Sequence, residues 1–244
     1  MGLAEVSRRP PARTTIARHP DLFHAAIFDM DGLLIDSERA IMRAWIDAAR
    51  DCGITLEPEA YADVVGRAEP ESNAILVRLL GGGDAFRAVR SRAAGVLSRE
   101  NRDRVFPLKS GVRELLVLLR SMDVLCAVAS SSAAAEIRHR LGAVDVLTHF
   151  GAVAGGDEVP RGKPDPAVYQ LAAARLGVPA SACLAFEDSE NGARAALAAG
   201  AQVVLVPDLR SPPDAVTRSS VRVLGTLTEA LAYVPGWFAA ARDA

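Results

Sequence analysis

Five short apolar runs punctuate this chain: Ala25 to Phe28, Val124 to Ala129, Gly151 to Ala154, Ala182 to Phe186 and Gln202 to Val206. Runs of this length, apolar at nearly every position, are strands buried on both faces rather than half-buried alternating ones. Segments of helical spacing separate the later runs: Val112 to Arg120, Ala133 to Leu141, Pro166 to Leu176 and Asn191 to Ala199. Alternation of this kind allows few architectures. Parallel strands need a crossover, usually a helix, and the result is a sheet covered on both sides. The fold class expected is α/β, with a Rossmann-like parallel sheet core. Ligands of such sheets gather beyond the carboxyl ends of the strands.

The residues at those ends carry chemistry. The first strand runs into Asp29-Met30-Asp31-Gly32, the second into Ser130-Ser131-Ser132, and the fourth into Glu187-Asp188-Ser189. Lys163 stands in a loop on the same rim, in Gly162-Lys163-Pro164-Asp165-Pro166. Residues i and i+2 leave a strand on the same side, so Asp29 and Asp31 point roughly together. Two carboxylates this close repel, which raises one pKa or calls for a cation. A hard divalent ion with oxygen ligands, most simply Mg²⁺, resolves the conflict. Such a pair also divides labour, one carboxylate attacking a phosphoryl group while the other moves protons. A hydroxyl, an ammonium and an acidic cluster on one rim suit phosphoryl transfer. Singly, each has a plainer reading. Asp29 to Gly32 is also a turn sequence, Ser130, Glu187 and Asp188 also suit a helix start, and Lys163 also suits an exposed loop.

Ser37 to Arg104 contains no strand signal. A helix follows Ser37, which can cap it, with Ile41, Ala44, Trp45 and Ala48 at helical spacing. Further helical stretches run from Glu57 to Val65, Glu71 to Leu80 and Ala85 to Arg104. The expected organisation is a leader over 1–22, an α/β core over 23–36 and 107–244, and an inserted helical cap domain over 37–106. Its hinges fall near Asp36-Ser37 and Phe106 to Ser110.

These motifs, in this order, resemble the haloacid dehalogenase superfamily. They resemble most the branch of β-phosphoglucomutase-like proteins and sugar-phosphate phosphatases, whose small helical cap follows the first strand. The resemblance spans Ala25 to Val206 and implies specific roles. Asp29 is the nucleophile and forms an aspartyl-phosphate. Asp31 protonates the leaving oxygen and then takes a proton from the attacking water. Ser130, with Ser131 and nearby backbone N–H groups, holds the phosphoryl oxygens, and Lys163 neutralises Asp29 and the phosphoryl charge. Asp188 binds Mg²⁺ with Asp29 and the main-chain carbonyl of Asp31, and Glu187 supports the ion directly or through water. Gly66 and Arg67 fall in the cap loop that faces the substrate. Dehalogenation ranks below phosphoryl transfer, because Asp31 is the phosphotransferase hallmark.

Within the branch, a mutase must grip a second phosphate. The resembling mutase carries a histidine where this chain has Ile41 and an arginine where it has Glu69. It also carries a lysine and an asparagine where this chain has Ala133 and Ala134. The expected activity is therefore a phosphatase acting on a small sugar or polyol phosphate. The alternatives are a phosphomutase, or a non-catalytic binding protein on the same fold.

Composition narrows the partners. A formal net charge of -2 gives no general attraction to nucleic acid. The arginines between Ala85 and Arg104 are interrupted by acids and apolar residues, as on a solvated helix face. No apolar run approaches the length of a membrane span. Cys52, Cys126 and Cys183 show no metal-ligand spacing, which suits a reducing cytoplasm. Met1 to Pro20, with Arg8, Arg9, Arg13 and Arg18, lacks the apolar stretch of a secretory signal and reads as a disordered leader. The chain is read as a cytoplasmic monomer.

Overall fold

The computed structural model describes residues 23–65, 69–103, 106–210 and 213–238. The leader and the cap-loop pair Gly66-Arg67 lie outside these residues. Six parallel strands form one sheet in the order β3-β2-β1-β4-β5-β6. They are β1 (Ala25–Phe28), β2 (Leu125–Ala129), β3 (Ala152–Ala154), β4 (Cys183–Glu187), β5 (Gln202–Leu205) and β6 (Arg222–Val223). The α/β parallel core is as the alternation required. β6 is an addition: two half-exposed residues at the sheet edge, too short and too polar to stand out in the sequence.

β1 lies at the centre, and the order in which strands are added reverses there: β2 and β3 extend the sheet on one side of it, β4, β5 and β6 on the other. That is the switch point where a crevice opens beyond the strand ends. The two faces of the sheet differ in residue size. Phe28, Val128, Leu184, Phe186 and Val204 point to one side, while Ala25, Ala127, Ala129, Cys183 and Ala185 point to the other. Strict alternation along each strand produces this sorting. On the small-residue face α7 (Ala167–Leu176) and α8 (Glu190–Ala198) present Ala172, Ala173, Ala193 and Ala196, so backbones approach closely. On the other face α5 (Val112–Ser121), α6 (Ala134–Ala143) and α10 (Leu227–Ala230) pack larger aliphatics. The Phe28 and Phe186 rings stack at 4.8 Å and 7°, pairing β1 with β4 beside the site. Helices α9 (Asp214–Ser219) and α11 (Val234–Trp237) complete the carboxyl-terminal part.

Between 37 and 106 every regular element among the described residues is helical: α1 (Glu38–Asp51), α2 (Pro58–Ala62), α3 (Glu69–Leu79) and α4 (Gly83–Asp103). They share an apolar cluster of their own, including Ala48, Tyr61, Leu76, Phe86 and Val89. The chain crosses between sheet and helices twice, and the crossings lie side by side. Asp36 N–H donates to Pro107 O at 2.9 Å and Lys109 N–H to Leu34 O at 3.0 Å. The Asp208 carboxylate, only 2% exposed, accepts from both Lys109 and Arg39, tying the crossing and α1 to the end of β5.

Ser37 corrects one expectation. It is fully buried and makes no side-chain cap bond to α1. Its hydroxyl donates instead to Asp31 Oδ1 at 2.6 Å. The turn from Gly32 to Ile35 curls the chain back, and this brings Ser37 beneath the rim. No helix among the described residues is long and apolar enough to cross a membrane. Cys126 and Cys183 are buried, and burial pushes their thiols up to about 12 and about 11, which leaves them protonated and inert.

Candidate active site

The crevice beyond β1, β2 and β4 is a cleft of about 860 Å³. Asp29, Asp31, Ser130, Ser131, Lys163 and Asp188 line it from the sheet side, and Ile41, Trp45 and Tyr61 from the helices. Four separate connections thus deliver their polar residues to one place.

Lys163 is the electrostatic centre. Its ammonium, 6% exposed, donates to Asp29 Oδ1 at 2.6 Å and to Glu187 Oε1 at 2.6 Å, and lies 5.1 Å from the Tyr169 ring centroid. Burial opposes its charge, yet Asp29 and Glu187 outweigh burial and hold it firmly protonated. Burial pushes the Asp29 carboxyl up to about 7; Lys163 pulls it down, while Glu187 and Asp31 push it up again. Asp188 is raised well above the usual carboxylate range by burial and by the charges of Asp29 and Glu187.

Glu187 does not cap α8. That task falls to Ser189, whose hydroxyl accepts from Gly192 N–H. Glu187 is fully buried, and its Oε1 also accepts from the Tyr169 hydroxyl. Its Oε2 accepts from Asp188 N–H at 3.2 Å and from Ser189 N–H at 3.3 Å. The Gly192 backbone presses against the carboxylate so closely that a Cβ there would lie 1.9 Å from Oε1.

Asp29, Glu187 and Asp188 each offer a carboxylate oxygen, and these atoms lie within 4.8 Å of one another. Three buried acids beside the Lys163 ammonium leave negative charge uncompensated, and an all-oxygen donor set suits a hard cation. The residues therefore fit Mg²⁺. Gly32 matters here twice: its φ is +86°, and a Cβ would fall 2.2 Å from Asp188 Oδ2.

The Asp31 side chain is not in that cluster. Its Oδ1 accepts from Ser37 and from Arg140 Nη1 at 2.7 Å, and its Oδ2 from the Ser132 hydroxyl at 2.9 Å. Ser130, 1% exposed, accepts from Ser132 N–H at 3.1 Å, which forms a tight turn at the end of β2. It is not the cap of α6, because Asp157 Oδ1 accepts from Ala134 N–H at the start of that helix. Partly buried Glu38 faces the same space; burial, then Asp31 and Asp208, push it up to about 7 against the pull of Arg140.

Arg140, Tyr169 and Ser132 were not singled out from the sequence. Arg140 and Tyr169 lie within helices α6 and α7 with no spacing signal, and their partners are 109 and 18 residues away. Ser132 is the third member of a serine run whose first two members, Ser130 and Ser131, carry the phosphate-binding expectation.

Residues 23–200 match the family described as haloacid dehalogenase-like hydrolase. A phosphorylated carbohydrates phosphatase of Thermotoga maritima is 35% identical over 180 residues, 72% of this chain and 81% of that protein. Hexitol phosphatase B of Escherichia coli K12 is 36% identical over 186 residues, 75% of this chain and 83% of that one. Among solved structures, a HAD family hydrolase of Deinococcus radiodurans with bound phosphate and sodium superposes with a TM-score of 0.70 at 26% identity. The match covers 88% of this chain and 97% of that one.

Proposed function

The chain belongs to the haloacid dehalogenase-like hydrolases, and from that premise we propose that it is a Mg²⁺-dependent phosphatase cleaving a small sugar or polyol phosphate through an aspartyl-phosphate. Phosphoric monoester hydrolysis is the activity in the names of its relatives of 35% and 36% identity. The observation that carries the reading is the position of Lys163, bridging Asp29 and Glu187 at 2.6 Å each beside the third acid, Asp188.

The reaction runs in two displacements. An Asp29 oxygen attacks phosphorus as the bond to the leaving oxygen breaks, and Asp31 gives that oxygen a proton. Water then attacks phosphorus, Asp31 takes its proton, and the bond to Asp29 breaks, releasing phosphate and the free enzyme. Lys163 holds the nucleophile in place and offsets charge as it develops. Ser130, Ser131 and the amides of their turn receive the phosphoryl oxygens. Asp29, Asp188, the Asp31 carbonyl and Glu187 would hold Mg²⁺, which when bound supplies charge neutralisation and polarisation of the phosphoryl group. The helical segment 37–106 acts as a cap that excludes water, swinging on the paired crossings. Gly66 and Arg67 are proposed to meet the substrate from that cap.

Ile41, Ala133 and Ala134 provide no cation for a second phosphate, which favours hydrolysis over mutase chemistry. The test is phosphate release from a panel of hexose, hexitol and pentose phosphates. Release with Mg²⁺ that stops on adding EDTA is expected. With β-glucose 1-phosphate and a trace of the bisphosphate, efficient formation of glucose 6-phosphate with little free phosphate would overturn the choice, as would EDTA-insensitive turnover.

A further inference from the structure

Arg140 is mostly buried in the site beside Asp31, yet it is not among the groups that attack, bind or neutralise the phosphoryl group. Its guanidinium is 11% exposed and bonds Asp31 Oδ1 through Nη1 at 2.7 Å and Glu136 through Nη2. It lies 5.1 Å from the centroid of the buried Phe106 ring, in the second crossing between sheet and cap. Its Nε is buried without a hydrogen-bond partner. An orphaned buried donor is costly, so the guanidinium is set where Asp31 and Glu136 need it rather than where all its own donors are satisfied.

Asp31 is held from three directions. Ser37 reaches it from the first crossing, Ser132 from the turn after β2, and Arg140 from α6 against Phe106 of the second crossing. Charge-assisted bonds to a carboxylate are the strong and directional ones, so Arg140 dominates the three. The hydroxyls can rotate to follow a moving carboxylate, whereas a planar guanidinium packed over a ring cannot.

We propose that Arg140 is a positioning residue for the proton-transfer step: it fixes the rotamer of Asp31 and links it to the Phe106 crossing, so that Asp31 faces the leaving oxygen. The inference rests on the acid–base reading of Asp31 given above.

The test exploits the leaving group. An alkoxide needs a proton as it departs, while a nitrophenolate does not. The value of kcat/KM reports only steps through departure of that group, so loss of the acid should be selective. Arg140→Met keeps an apolar stem against Phe106. It should lower kcat/KM about 100-fold for glycerol 2-phosphate, the low end of what general acid–base catalysis contributes. For p-nitrophenyl phosphate it should fall only about threefold. Arg140→Lys should restore part of the alkyl activity. Asp31→Asn should show the same selectivity, and Arg140→Met added to Asp31→Asn should lower the alkyl rate no further, because the two act as one unit. Equal losses with both substrates, a KM rise alone, or additive losses in the double variant would overturn the role of Arg140 while leaving Asp31 intact. Absence of selectivity in Asp31→Asn itself would instead overturn the acid–base reading, and with it this inference.

Discussion

Replacing Lys163 by methionine should lower turnover at least ~1000-fold and the melting temperature by roughly 10 °C. Both effects come from the same two contacts. The ammonium serves Asp29 and Glu187 together, and both carboxylates are buried. Removing one partner of a buried ion pair costs about 3–5 kcal/mol, and at this chain length each kcal/mol moves the midpoint by about 2–4 °C. One lost electrostatic contact to a reacting group is worth about 100- to 1000-fold in rate. The nucleophile is lost as well. Burial already holds Asp29 near 7 with Lys163 opposing the shift, so without Lys163 it takes up a proton at neutral pH. The sign with pH follows. Asp29 has a folded pKa above its unfolded value of 3.8, so its ionisation weakens the metal-free fold as pH rises from about 4 to about 7. The upward shift of Lys163 is constant over that window, since both its states stay protonated. In Lys163→Met the window extends to higher pH. Scanning calorimetry without divalent ions should find the variant's deficit larger at pH 8 than at pH 5. A deficit independent of pH, or a variant with more than a tenth of wild-type turnover, would contradict the pairing.

Gly192→Ala should be the second severe change, and its sign is informative. Within an exposed helix, Gly→Ala stabilises by about 1 kcal/mol. Gly192 lies inside α8 with ordinary helical backbone, so propensity alone predicts a gain. A Cβ there would meet Glu187 Oε1, Cδ and Oε2 at 1.9 to 2.1 Å. The end of a glutamate normally swings aside at small cost. This one is fixed by Lys163, Tyr169 and the amides of Asp188 and Ser189. Overpacking of about 1–3 kcal/mol, together with loosened bonds to Lys163, outweighs the propensity gain. The expected result is a lower midpoint and about a 100-fold lower kcat, of the order seen when one electrostatic contact is lost. A variant with a raised midpoint and normal kcat would show that Glu187 is free to move.

What the sequence revealed and what it hid divide along a physical line. β1 to β5 are legible because strands buried on both faces are apolar throughout, and their ends place Asp29, Ser130 and Asp188 without further information. Lys163 is legible because Gly162 to Pro166 is a distinctive string. The region after Asp208 is not, because β6 is two residues long and the helices that flank it in the chain are only four to six residues long. Ser37 has the composition and place of a cap, and only the backbone turn through Gly32 shows that it serves Asp31. Arg140 and Tyr169 are ordinary helix residues until the sheet brings their partners to them. Local pattern thus reveals the groups at strand ends, while the residues that orient those groups come from tertiary contacts.

The central claim is covalent chemistry at Asp29, and acid-quenched turnover tests it most directly. Enzyme, Mg²⁺ and excess sugar phosphate are stopped in acid during steady state, digested, and mapped by mass spectrometry. The account predicts a phosphoryl adduct on the peptide carrying Asp29, absent from an inactive Asp29→Asn variant. An adduct on another residue, or no adduct together with near-wild-type turnover by Asp29→Asn, would contradict it.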